Sequence, residues 1–238
     1  MNAITKTFIF CVFSTSLCAQ IHSNSGPAVN SPLATSEFFT DVSGKPLFPS
    51  GYVDVIGSPF LSDEWQPAHV ALQTGRSLDG ILVKLDLLKQ ELYYKDEKGK
   101  EMIAKKGIVQ AMRVYDAQRG DSTHYRSGYP LQESRTAATL YQVLATGSVE
   151  LLKHTSKTIQ EIKRFNSATT EREFVLKSEY FVFDRTKGTL LKIKKDRKAL
   201  MDALSDQAPA LEQYLQDTRN KCRSEEDLIA AVNFYNSR

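Results

Sequence analysis

Short runs that alternate apolar and polar residues dominate the chain from Gly51 to about Lys194. In the run GILVKLDL, Lys84 and Asp86 fall on one face of an extended strand and the apolar side chains fall on the other. These apolar residues are Ile81, Val83, Leu85 and Leu87. A period of two with one polar face indicates half-buried antiparallel strands.

Turn sequences separate the alternating runs and limit how the strands can be connected. They are Thr74-Gly75, Lys98-Gly99, Thr146-Gly147, Asn166-Ser167 and Lys187-Gly188. Connections this short favour hairpins between consecutive strands over long crossovers. We therefore predict a mainly β (β-rich α+β) fold over residues 51–195, a curved antiparallel meander that forms either an open sheet or an incomplete barrel.

After Lys195 the apolar period changes from that of a strand to that of a helix. Asp196 can cap one short helix, and Asp206 can cap a second in which Pro209 lies in the first turn. The segment Ser224–Asp227 resembles a capping box that begins a third. The apolar residues at helical spacing are Leu200, Met201, Leu204, Leu211, Leu215, Leu228, Val232 and Tyr235. Because short helices are marginal alone, we expect two or three of them over residues 196–238, packed on the sheet.

The first 19 residues have the features of a secretory signal peptide. A lysine precedes a short apolar segment, Phe8 to Phe13, which is too short to span a bilayer. We predict cleavage after Ala19 and export to the periplasm or the cell exterior, followed by a flexible leader over residues 20–50 that is rich in Ser, Pro, Asn and Gly. The alternative is a lipoprotein acylated at Cys18, which the bulky leucine before that cysteine disfavours.

Charge and cysteine content exclude several classes of protein. Removal of the signal peptide leaves Cys222 alone, so no intramolecular disulfide can form. The net charge of +3 becomes +2 when Lys6 is lost, because residues 1–19 contain no Asp or Glu. This near-balance argues against nucleic acid as a partner, and no later segment is apolar enough for an integral membrane protein.

Three regions carry a resemblance to known sequences. They are the hairpin from Trp65 to Gly80, the strand pair SEYFVF and TLLKIK, and the tail SEEDLIAAVNFYNS. Together they resemble a group of uncharacterised exported cell-envelope proteins of Bacteroidota-type bacteria. The resemblance covers about two thirds of the mature chain and implies a location in the cell envelope, but it implies no activity.

The residues that most often carry metal or nucleophilic chemistry lack the spacing that such sites need. His69, His124 and His154 are far apart in the sequence, and Cys222 has no neighbouring cysteine. Two basic residues flank Cys222 and can lower the pKa of its thiol, but no base accompanies it. The chain also lacks the nucleophile elbow and the phosphate-binding loops. We predict no metal, no cofactor and no catalytic residue.

Asp63 and Glu64 directly precede Trp65, the single tryptophan of the chain. A carboxylate beside an aromatic ring is common in glycan-processing sites, so these residues are the best candidates for catalysis. The same segment also has the composition of a loop that enters a hairpin. We favour that interpretation, in which Trp65 is an apolar plug.

Aromatic and basic residues suggest where a ligand or partner can bind. Tyrosines are frequent in the alternating runs, where a concave sheet face can use them to line a groove. A basic run spans the end of the last strand and can contact an anionic headgroup or polysaccharide. The candidate ligand or partner surface comprises Trp65, Tyr93, Tyr94, Lys192, Lys194 and Lys195.

We expect a non-catalytic interaction or structural protein of the bacterial cell envelope. Its partner would be another envelope protein, a polysaccharide or a lipid. The first alternative is a carrier that holds an apolar or lipid-like ligand in its curved sheet, as small β-barrels do. The second is a glycan hydrolase that uses Asp63 or Glu64.

Overall fold

The computed structural model describes Tyr52 and residues 54–163, 170–205 and 208–238. Several predicted features lie outside these residues: the signal peptide over 1–19 with Cys18, the leader over 20–50, the turn Asn166-Ser167 and the cap Asp206. Within the described ranges, no helix is both long and apolar enough to cross a membrane.

The fold is mainly β, as the alternating runs predict, with three short helices at the end of the chain. The strands are β1 Val55–Ile56, β2 Gln66–Leu72, β3 Ser77–Asp86, β4 Glu91–Lys95, β5 Glu101–Ile103, β6 Val109–Asp116, β7 Asp121–Arg126, β8 Tyr141–Ala145, β9 Val149–Lys163, β10 Thr170–Asp184 and β11 Thr189–Ile193. The helices are α1 Arg197–Ala203, α2 Ala208–Asp217 and α3 Glu225–Asn236.

The strands form one sheet in the order β1-β10-β9-β8-β7-β6-β2-β3-β4-β5, with β11 also paired to β10. The sheet thus contains two antiparallel meanders, β2 to β5 and β6 to β11, which are joined by the pairing of β2 with β6. At this junction β6 pairs with β2 and not with β5, its predecessor in the chain, and the two residues of β1 add a parallel pairing. Each run alternates in the same way, so the pattern alone does not specify which run is the partner.

Strands β5 and β7 were not predicted from the alternation. Strand β7 has the sequence DSTHYR, in which Tyr125 alone is buried, and β5 is three residues long. Strands β9 and β10 are also longer than predicted because a polar two-stranded ribbon continues beyond their apolar segments. Strands in which both faces are largely polar leave no apolar period to detect.

The predicted polar face of β3 is wrong at Asp86. Its side chain is buried, although the alternation assigned it to the solvent face with Lys84. Its Oδ1 accepts hydrogen bonds from the backbone N–H groups of Leu88 and Lys89, both at 2.8 Å. The carboxylate therefore stabilises the β3–β4 turn, where backbone donors replace water.

Three buried clusters stabilise the two faces of the sheet. The strand core lies between β2, β3, β4 and β6 and includes Val70, Val83, Tyr94 and Met112. The helix core joins β8 to β11 with all three helices, and the aromatic core includes Tyr129, Tyr141 and Phe181. Residues 127–140, which connect β7 to β8, contribute Tyr129 to the aromatic core.

The helices dock where the sequence predicted. Asp196 caps α1, and the capping box at Ser224 and Asp227 begins α3. The residues Leu200, Leu204, Leu211, Leu215, Leu228 and Val232 are all buried in the helix core. At the end of α3, the Asn236 side chain bonds the turn between β8 and β9, where Gly147 leaves room for it: a Cβ at Gly147 would lie 2.2 Å from Asn236 Cγ.

The sheet curls until the β3–β4 turn meets the middle of β9, and we call this contact the seam. The Lys157 N–H donates to the Leu87 carbonyl at 2.9 Å, and Lys157 Nζ donates to the carbonyls of Ser58 and Phe60. Over the described residues the sheet remains open, with β5 at one end of the strand order. Strands β7 and β8 share two residue pairs, Tyr125 with Gln142 and Arg126 with Tyr141.

Candidate ligand-binding site

A cavity of about 510 Å³ lies beside the seam, and we call it the seam cavity. Its walls come from the β3–β4 turn, from β9 and β10, and from the β7–β8 connection. Six hydroxyl side chains line it: Ser134, Thr136, Thr139, Thr155, Ser156 and Thr158. The polar lining is suited to hydrogen bonding with a ligand, and Leu87 and Leu140 add apolar surface.

His154 lines the seam cavity and is 6% exposed. Gln90 determines its tautomer, because Gln90 Nε2 donates to the carbonyls of Leu87 and Thr155, at 2.7 and 3.2 Å. The Gln90 amide is therefore oriented with Oε1 toward His154 Nε2, 3.0 Å away. A carbonyl oxygen only accepts, so Nε2 of His154 carries the proton and Nδ1 carries a lone pair.

Three buried polar atoms around His154 have no hydrogen-bond partner among the described residues. They are His154 Nδ1, the Tyr141 hydroxyl and Arg135 Nε. The residues are close together: the Tyr141 and His154 rings are 5.7 Å apart, and both Tyr141 and the Arg135 guanidinium contact the Phe181 ring. Buried polar atoms normally have a partner, so this cluster is prepared for a ligand that both donates and accepts hydrogen bonds.

The buried charge beside His154 is balanced within the protein. Glu179 is opposite His154 on β10, and its carboxylate is paired with Arg135, Lys177 and Lys192. Burial alone would raise the pKa of Glu179, but hydrogen bonds from the two lysines and the charge of Arg135 hold it below its ordinary value. Glu179 is therefore ionised at neutral pH.

Burial and, to a smaller extent, the charge of Arg135 together lower the pKa of His154 to about 4, against the opposing effect of Glu179. The imidazole is thus neutral at physiological pH and offers a hydrogen-bond acceptor at Nδ1 rather than a positive charge.

A second buried carboxylate fixes the β7–β8 connection that carries Arg135. Glu150 is fully buried and accepts hydrogen bonds from the Tyr129 hydroxyl at 2.6 Å, from Arg126 at 2.5 Å and from Arg185 Nε at 2.9 Å. Burial raises the pKa of Glu150, but these three partners outweigh it and the pKa is lowered. The Tyr129 ring also packs against Tyr141. This network anchors one wall of the seam cavity.

The predicted surface residues do not form one site. Trp65 is half-buried, with the ammonium groups of Lys84 and Lys95 over its ring, at 5.3 and 4.9 Å. Tyr93 and Tyr94 are 4% and 1% exposed, so their side chains are not at the surface.

The predicted basic residues lie elsewhere. Lys192, Lys194 and Lys195 are exposed at the end of β11. Lys192 contacts Glu133 and Glu179, so it borders the charge cluster near the seam cavity, and Lys195 lies over the Tyr180 ring.

The residues considered for chemistry are also dispersed. Asp63 and Glu64 are exposed in the loop before β2. Among the described residues, no group of three or more His, Cys, Asp and Glu side chains is placed to hold a metal. Cys222 is fully buried in the helix core, and burial, with the charge of Asp227, raises the pKa of its thiol to about 11. The basic neighbours of Cys222 do not activate it.

Gln90, Arg135 and Glu179 were not predicted as site residues. One signal was present: Glu150 and His154 occupy the same strand face as Leu152, where the alternation calls for an apolar side chain. A charged or ionisable residue in an apolar register indicates a buried polar network. Gln90 and His154 are 64 residues apart, so no local motif connects them.

Comparisons with family models, with curated protein sequences and with solved structures find no match to this chain. The resemblance to exported envelope proteins stays a prediction.

Proposed function

We propose that this protein is a non-catalytic binding protein of the bacterial cell envelope that holds a small hydroxylated ligand in the seam cavity. The observation that carries the proposal is that two residues lining the seam cavity, His154 and Arg135, have unpartnered buried atoms. A ligand hydroxyl can donate to His154 Nδ1 and accept from Arg135 Nε. A cavity of about 510 Å³ is far larger than the roughly 10–15 Å³ that a single ordered water needs.

The ionisation of the buried carboxylates supports binding rather than hydrolysis. A glycosidase needs a general acid whose pKa is raised so that it is protonated at working pH. Glu150 and Glu179 both have lowered pKa values and are held by cations. Asp63 and Glu64, the candidates for a hydrolase, are exposed and lie outside the seam cavity.

The lining of the cavity offers hydrogen-bonding groups as well as apolar surface. Leu85, Leu87 and Leu140 provide apolar contacts, and hydroxyls and the charged groups of Lys106, Arg135 and Lys177 lie among them. A hydroxylated ligand with an apolar face, such as a sugar ring, can use both kinds of contact. The envelope location rests on the signal peptide predicted from residues 1–19.

The proposal is tested by thermal unfolding of the mature protein with a panel of monosaccharides, disaccharides and sugar acids. A ligand present at about 100 times its dissociation constant stabilises the folded state by about 2.7 kcal/mol. We expect at least one compound of the panel to raise the melting temperature of the protein by binding to its folded state. His154→Gln should remove the effect, because glutamine can keep the hydrogen bond to Gln90 but offers no acceptor at the Nδ1 position.

One control variant makes the test specific. His154→Asn places an amide near the Nδ1 position and should retain part of the binding. A panel with no hit, or a hit that binds His154→Gln as tightly as wild type, would contradict the proposal.

A further inference from the structure

A row of basic residues crosses three neighbouring strands on the open face of the sheet. His69 on β2 is opposite Arg113 on β6, and Arg113 is opposite His124 on β7. Paired residues project from the same face, and neighbouring strands are about 4.8 Å apart. The three side chains therefore point in one direction, with the arginine in the centre.

Small residues beside this row create a pocket. Ala71 and Ala111 are paired in an adjacent row, which continues to Arg126. Their methyl groups leave a depression of about 610 Å³, which we call the open-face pocket. Tyr115, which is 41% exposed, lines one side of it.

The open-face pocket is basic. Among the described residues that line it, there is no Asp or Glu. Arg126 is neutralised by Glu150, and His69 Nδ1 is hydrogen-bonded to Asp79. Arg113 has no acidic partner within the described part of the chain, and it faces the pocket with His124 beside it.

The histidines complement the arginine in different ways. Because the Asp79 carboxylate only accepts, Nδ1 of His69 donates to it, and Nε2 of the neutral ring can then accept the hydroxyl proton of a phosphate monoanion. Partial burial and the charge of Arg113 lower the pKa of His124. The positive charges of Arg113 and of protonated His124 repel each other, and a bound anion would offset that repulsion.

We propose that the open-face pocket binds the phosphoryl group of a phosphate monoester, with Arg113 as the central donor and His69 and His124 on either side. A tetrahedral oxyanion directs its oxygens toward several donors at once, which fits groups arriving from three strands. The Tyr115 ring provides a surface on which the organic part of the ester can pack. This site is distinct from the seam cavity, since Tyr125 is the one residue that both linings share among the described residues.

The test uses phenyl phosphate and inorganic phosphate as probes of the mature protein, with benzoate as a carboxylate of similar size. We expect saturable binding of phenyl phosphate by calorimetry and much weaker binding of benzoate. Arg113→Gln should weaken binding at least tenfold, because a charge-assisted hydrogen bond is worth about 1.5–3 kcal/mol. Arg119→Gln is the matched control: Arg119 is exposed near the same hairpin but is paired with Asp116 and Asp121.

A second measurement needs no variant. Saturation with phenyl phosphate should raise the pKa of His124, followed by proton NMR of the imidazole, because a nearby anion favours the charged ring. Vesicles with and without phosphatidic acid identify the source of the phosphoryl group. If the protein binds the phosphatidic acid vesicles and phenyl phosphate displaces it, the ligand is a lipid headgroup. If the protein binds phenyl phosphate but not the vesicles, the ligand is a soluble ester. Either outcome supports the site. No saturable binding of phenyl phosphate, or equal affinities in Arg113→Gln and Arg119→Gln, would overturn it.

Discussion

At the seam cavity each buried charge has a counter-charge, whereas at the open-face pocket the central cation, Arg113, has no acidic partner among the described residues. Glu179 holds Arg135 beside the cavity, and the atoms left without partners there belong to a neutral histidine, a tyrosine hydroxyl and one guanidinium nitrogen. Arg113 in the open-face pocket has no such carboxylate among the described residues. The first site is therefore suited to hydrogen bonding with a neutral hydroxyl, and the second to an anion.

The seam cavity and the open-face pocket should differ most in how much stability is lost when a charged side chain is removed. Glu179→Gln should destabilise the protein by about 3–5 kcal/mol, because it removes the buried carboxylate that Arg135, Lys177 and Lys192 share and leaves Arg135 with only the half-exposed Glu133. Chemical denaturation monitored by circular dichroism measures this.

Glu133→Gln is the control for that variant, because Glu133 contacts the same two cations, Arg135 and Lys192, but is half exposed. We expect little change there. If the two variants unfold at the same denaturant concentration, Glu179 does not balance the buried charge of Arg135.

Acidification should affect the seam next most strongly. The pKa of His154 is about 4 in the folded protein and about 6.5 in the unfolded chain, so the unfolded chain binds the proton more readily between these values. Stability should fall by up to about 3 kcal/mol as the pH decreases from 6.5 to 4.

Subtraction of the pH profile of His154→Gln isolates this contribution, since the carboxylates titrate in both proteins. Parallel profiles of wild type and His154→Gln would show that the buried imidazole does not titrate in this range.

The smallest effect is expected in the open-face pocket. Arg113→Gln should change the free energy of unfolding by less than about 0.5 kcal/mol, because an exposed cation without an acidic partner stabilises little. The variant should nevertheless lose phosphate binding. A loss of stability comparable with that of Glu179→Gln would mean that Arg113 has a structural role.

Much of the fold was predictable because the same local signals specify it at many positions. Apolar alternation identified β3, and the polar caps at Asp196 and Ser224 identified the starts of α1 and α3. The pairing of β2 with β6 was not predictable, since it depends on which of several equivalent strands closes the strand core. Strand β7 was not predicted because both of its faces are mostly polar.

The candidate sites were harder to predict than the fold because their residues come together only through the curled sheet. The residues around His154 come from distant parts of the chain: Gln90 from a turn and Arg135 from a long connection. Gln90 also has a positive φ of 55°, which no sequence pattern predicts. The open-face row combines single residues from three strands. Its recognition requires the register, which follows from the unpredicted pairing of β2 with β6.

The protonation state of His154 tests the central claim most directly. Long-range proton–nitrogen NMR of the imidazole distinguishes the two neutral tautomers from the charged ring. At pH 7 the structure requires the neutral ring with its proton on Nε2 and a lone pair on Nδ1, and a bound hydroxylated ligand should shift the Nδ1 resonance while Nε2 changes little. A proton on Nδ1, or a charged ring at pH 7, would contradict the account.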